Sequence, residues 1–158
     1  MRISFRPSEF FGAHGREHAH AADLAAVTRA DLRWYYFLGA LEISHHGTEI
    51  GPPWEWVPLF DALYCVQQVM IFAEGGEALG KIDFTENAES IDFELNGTSL
   101  HMVPSYLEFE ATCTANEFIS AGSDFIRNEL IRVTSEHPLL AKNRHVRELA
   151  AGVSLELP

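Results

Sequence analysis

Ile91-Asp92-Phe93-Glu94-Leu95-Asn96-Gly97 is the stretch whose reading decides the fold. Apolar and acidic side chains alternate through it with a period of two. That is the period of a β-strand with one face in a core and the other in water. Asn-Gly is the preferred pair for a two-residue hairpin turn, which returns the chain through Leu100 to Val103. Upstream, Ile82 and Phe84 alternate with Asp83 and Thr85; downstream, Leu107, Phe109, Ala111 and Cys113 alternate with Glu108, Glu110 and Thr112. Segments of this kind predict an antiparallel sheet with one apolar and one wet face. If the strands pair as neighbours, Asp83, Asp92, Glu94, Glu108 and Glu110 share the wet face.

Helices are expected on both sides of this region. Before it, Pro58 suits the first turn of a helix, where its missing N–H costs nothing. Leu59, Leu63, Val66 and Met70 then form a stripe widened by Phe60, Ala62, Val69 and Ala73, and Gly75-Gly76 supplies a stop. After it, Thr114-Ala115-Asn116-Glu117 has the spacing of a capping box. The helix it opens carries Phe118, Phe125, Ile126, Leu130 and Val133 and ends before Pro138. Asn143 to Ala151 reads as one more short helix. Further upstream, Asp31 to Ser44 has strand composition, read as one long strand bent at Gly39. His45-His46-Gly47 turns it into a short strand near Thr48 to Ile50, and Ala19 to Ala30 reads as a short helix.

The expected fold is therefore a single α+β domain over residues 1–158: an antiparallel sheet of four to six strands with two or three helices packed on one face. Residues 1–30 form a loosely structured N-terminal segment, 31–137 the α+β core, and 138–158 a C-terminal helix and tail. A chain of 158 residues is long enough to bury a sizeable core, and eleven Phe, four Tyr and three Trp supply it.

Charge is distributed unevenly. Met1 to Tyr36 holds five bases and four acids, and so does Ile126 to Pro158, whereas Phe37 to Phe125 holds fifteen acids and one base, Lys81. The net charge of −12 argues against nonspecific binding to nucleic acid or to an anionic membrane, both of which repel an acidic surface. No apolar run approaches the roughly 18 residues needed to span a bilayer. The two cysteines, Cys65 and Cys113, sit inside apolar patterns and form no disulfide framework. With no apolar signal segment behind Met1, a reduced cytoplasmic setting is expected.

Three groups of residues are candidates for function. The acidic sheet face comes first: a docking surface for a basic protein, set against a plain solvated face in an acidic protein. Complementary charge speeds encounter and rejects wrong partners. Trp54 and Trp56, on the loop after Pro52-Pro53, are candidate interface anchors, set against a fold-back over the helix start. The third group is His14, His18 and His20, whose neutral imidazoles have the composition for one zinc or nickel ion. His45-His46 and His101 read as surface residues. Asn96-Gly97-Thr98 matches a glycosylation sequon, which the turn explains. No pattern calls for a cofactor, and no nucleophile elbow or metal-hydrolase motif is present.

The element order resembles that of several families of small bacterial immunity proteins, which neutralise polymorphic or contact-dependent toxins. It is carried by the aromatic run Trp34-Tyr35-Tyr36-Phe37, a helix introduced by Trp56-Val57-Pro58, acidic antiparallel strands and a closing helix, over Asp31 to His137. The resemblance implies an acidic, non-enzymatic protein that occludes a basic nuclease toxin through Asp92, Glu94, Glu108 and Glu110. The sequence reading thus expects a binder of a basic protein, with homo-oligomer formation also open. Its alternative is a small metal-binding protein or metalloenzyme built on the N-terminal histidines.

Overall fold

A computed structural model describes residues 1–12 and 24–158. Among them the strands form two four-stranded antiparallel sheets rather than one, in an α+β arrangement. The first sheet is built on β2 (Leu38–His45), which pairs with β1 (Arg2–Pro7) along its length, Ile3 opposite Ile43 and Phe5 opposite Leu41. Two short strands also pair with β2: β3 (Thr48–Glu49) at its end and β4 (Val57–Pro58) at its start. The second sheet runs in chain order β5 (Lys81–Phe84), β6 (Glu89–Asn96), β7 (Ser99–Pro104) and β8 (Ala111–Thr114).

Between the sheets in sequence lies α3 (Leu59–Ala73), following α1 (Glu9–Gly12) and α2 (Arg29–Tyr35). After the sheets come α4 (Ala115–Glu136), a 3-10 helix (Pro138–Lys142) and α5 (Arg144–Gly152). Helix α3 buries Leu59, Phe60, Leu63, Val66 and Val69 completely, and it packs against α2, α4, α5 and strands of both sheets. Helix α4 lies across β1, β7 and β8, with Phe118 edge-on to Phe93 at 5.2 Å. Gly122 allows the two long helices to approach closely: a Cβ there would stand 2.8 Å from Met70 Sδ and 3.0 Å from Val66 Cγ1. The predicted capping box forms, with Thr114 Oγ1 accepting from the Glu117 N–H at 3.2 Å and Glu117 accepting from the Thr114 N–H at 2.8 Å.

Five expectations are corrected. Asp31 to Ser44 is not one strand, because Thr28 caps a helix by accepting from the Asp31 N–H at 3.1 Å. The aromatic run closes that helix, and Phe37, at φ 55°, turns the chain into β2. The helix read over Ala19 to Ala30 overlaps α2 only at its last two residues; residues 13–23 are outside the described part. Arg2–Pro7 is a strand rather than loose chain, its alternation of Ile3 and Phe5 with Arg2, Ser4 and Arg6 being the same signal as in β6. In the hairpin after β6 the paired residues are Asn96 and Ser99, so the turn pair is Gly97-Thr98. Gly97 at φ 64° and Thr98 outside the left-handed region fit a type II′ turn. Finally, β8 begins at Ala111; Ser105 to Glu110 is a turn and loop, and Phe109 is exposed.

Helix α5 depends on a buried cap. Asn143 is 1% exposed; its Oδ1 accepts from the His145 N–H at 2.9 Å, and its Nδ2 donates to the carbonyls of Leu24 and Val27, each at 3.0 Å. Asp is as good an N-cap as Asn on an open helix, but here it would turn a carboxylate toward two buried carbonyl oxygens. Asn143→Asp is expected to lower stability by about 2–3 kcal/mol, measured by urea unfolding.

Candidate protein-docking surface

The open face of the second sheet carries Lys81 and Asp83 on β5, Asp92 and Glu94 on β6, His101 and Val103 on β7, and Thr112 on β8. The opposite face, with Ile82, Phe84, Ile91, Phe93, Leu100 and Met102, is buried. Register keeps the acids apart across the strands. Asp92 lies between Lys81 and Val103, and Glu94 is opposite His101, which is opposite Thr112. Lys81 Nζ stands 3.7 Å from Asp92 Oδ1, His101 Nε2 is 2.9 Å from Glu110 Oε2, and His101 Nδ1 is 3.0 Å from Thr112 Oγ1. The like-charge pairs that would oppose sheet formation are therefore absent from the ladders. Four of the five acids expected on this face, Asp83, Asp92, Glu94 and Glu110, are on it or hydrogen-bonded to it. Glu108 is not: it is exposed in the loop before β8.

The two tryptophans divide. Trp54 is buried, edge-on to Phe84 at 5.4 Å and to Tyr106 at 5.2 Å, and closes the seam between the sheets. Tyr106 adds a hydrogen bond from its hydroxyl to the Ile50 carbonyl at 2.8 Å. Trp56 stacks on Trp54 at 6.3 Å and remains 43% exposed. Trp54 is thus a core residue, and only Trp56 is free to anchor a partner. Beside this loop is a cavity of about 350 Å³ lined by Glu42, Glu49, Glu55, Arg6, Trp54 and Leu107 among others. Arg6 is engaged by Glu42 at 3.2 Å and Glu55 at 2.9 Å, so two of the three carboxylates lining the cavity are paired with its one guanidinium.

A second cavity, about 430 Å³, lies between α2, α3 and β5. Its floor is the ion pair of Arg33 and Asp61, with Arg33 Nε donating to Asp61 Oδ1 at 2.7 Å. Burial pushes the Asp61 carboxyl up and the guanidinium pulls it back down. Arg29 stands 4.4 Å over the Tyr64 ring. In the sequence Asp61 is legible only as an interruption of an apolar stripe; what gave no signal is that α2 would bring Arg33 to it. Burial pushes the thiol of Cys65, on the same wall, up to about 12, and that of Cys113 up to about 11.

His14, His18 and His20 lie outside the described residues. Among the described residues, His45, His46 and Glu117 bring metal-ligating atoms within 4.8 Å of one another. Sequence reading took the two histidines as surface turn residues; the adjacent pair was visible, but the carboxylate that joins them comes from 71 positions beyond His46, in the first turn of α4. Among the described residues no helix is long and apolar enough to cross a membrane.

The Arg33–Asp61 pair makes a testable case. Asp61→Asn leaves a guanidinium only 30% exposed without its counter-charge and is expected to cost about 3 kcal/mol. Arg33→Met with Asp61→Leu recovers most of that loss, both read from urea unfolding. Comparison of the chain with protein-family models, with curated proteins and with solved structures found no match.

Proposed function

We propose that the chain is a non-enzymatic binding protein whose acidic surface engages a basic protein, acting as an immunity protein toward a cognate bacterial toxin. The observation that carries this reading is the open face of the β5–β8 sheet. The helices cover its other side, so Asp83, Asp92 and Glu94 are exposed together, with Glu110 held at the rim by His101. They belong to the segment with fifteen acids and one base. An acid-dominated field accelerates encounter with a basic partner and penalises acidic competitors. Affinity in such an interface comes from a few desolvated anchors, and Trp56 and Phe109, 43% and 42% exposed, have the required apolar area. The carboxylates of Glu42, Glu49 and Glu55 extend the acidic field into the cleft beside Trp54.

The test is capture from a lysate of the source organism with the full chain at low and high salt, beside the variant Asp83→Lys/Glu94→Lys. One basic protein should be retained at low salt and released at high salt, with an association rate at least roughly tenfold slower for the variant. Expression of that protein alone should then arrest growth, and co-expression of the chain should relieve it. A captured protein that binds the variant equally well would remove the acidic face from the interface. Capture of a harmless protein would leave docking and reject toxin neutralisation.

A further inference from the structure

Consecutive residues on a strand point to opposite faces, so two adjacent histidines at the end of β2 would not ordinarily meet. The turn changes this. His46 has φ 50° and Gly47 φ 79°, the two left-handed positions of a type I′ hairpin, and the rings of His45 and His46 lie 4.0 Å apart between centroids. Glu117 arrives at the same point from the first turn of α4. Its Oε2 accepts from the Thr114 backbone N–H at 2.8 Å and from the Thr114 hydroxyl at 2.9 Å. Both bonds fall on one oxygen and leave Oε1 without a hydrogen bond among the described residues.

An independent observation points to a ligand. His45 is only 8% exposed, and its Nδ1 is buried with no hydrogen-bond partner among the described residues. Buried ring nitrogens are normally bonded, because desolvation without a partner is costly. We propose that His45, His46 and Glu117 bind a divalent cation of the zinc class, tying the β2–β3 hairpin of one sheet to the start of α4, which follows β8 of the other. Two imidazoles and a carboxylate are a zinc donor set, and three protein ligands leave a fourth position for water. Zinc bonds of about 2.0–2.2 Å require ligand atoms roughly 3.3 Å apart. His46 and Glu117 are exposed and can close to that separation by side-chain rotation, with buried His45 as the fixed member.

The probe is Zn²⁺ itself, titrated into the full chain and into His14→Asn/His18→Asn/His20→Asn in competition with a chromophoric chelator. Visible absorption of the Co²⁺ form reports the geometry. One ion should bind per chain in both proteins. At a free concentration about a hundredfold above Kd, the melting temperature should rise by roughly 5–10 °C. His46→Ala and Glu117→Gln, each in the triple-Asn background, should weaken binding roughly tenfold or more. His46 is exposed, and Gln serves at the third helical position of a capping box, so neither change removes a core contact or the cap. Loss of binding in the triple-Asn protein would place the metal on the N-terminal histidines and overturn the proposal. Unchanged affinity in both single variants would overturn it as well.

Discussion

The structure depends on burying α3 around most of its circumference. Its apolar residues are not confined to one stripe: Leu59, Phe60, Ala62, Leu63, Val66, Val69, Met70 and Ala73 are all covered. A helix that is apolar around most of its circumference cannot lie on a surface, and one face of one sheet is not enough to cover it. The chain supplies β2 and β4 from one sheet, β5 from the other, and α2, α4 and α5 around the rest. Each fully buried Leu, Val or Phe contributes about 1.5–3 kcal/mol relative to exposure, so this helix outweighs any single surface interaction. The same demand explains the Arg33–Asp61 pair. Asp61 sits on the buried helix, and a carboxylate there must have a counter-charge.

Electrostatics then follow from which faces are left over. Once the apolar sides of β5–β8 turn toward α3 and α4, period-two alternation places Asp83, Asp92 and Glu94 outward. Antiparallel register interleaves Lys81, His101, Val103 and Thr112 among them, so the sheet tolerates its acids. The acidic field survives because, among the described residues, no second layer covers this face. Compensation elsewhere is local: Arg6 is engaged by Glu42 and Glu55, and Arg132 by Glu129 and Glu136.

Much of this was legible residue by residue, for identifiable reasons. The capping box at Thr114 and Glu117, the glycine stop after α3 and the alternation in β6 are short-range signals whose physics is complete within a few positions. Helix α2 was misread because its aromatic residues favour strands on average, while the Thr28 cap is decided by one hydrogen bond. Strand β1 was passed over because its partner lies more than thirty residues on. Glu108 was placed on a strand because alternation continues through the Ser105–Glu110 loop, where no neighbour is present to pair with it. In the candidate site, Asp83, Asp92 and Glu94 followed from the pattern; the loop position from which Glu110 reaches His101, the burial of Trp54, the acidic cleft beside it and the meeting of His45, His46 and Glu117 did not.

The sequence by itself determined which segments are helix or strand where the pattern is strong, which face of each strand is apolar, and that the excess acid falls between Phe37 and Phe125. Those are consequences of side-chain chemistry and of periods of 2 and 3.6, both local. Only the tertiary structure decided that the strands divide into two sheets and which of two neighbouring tryptophans is core. It also decided that a turn from one sheet and a helix start beside the other converge on one point. These depend on which distant faces bury one another, and burial is a property of the assembled chain.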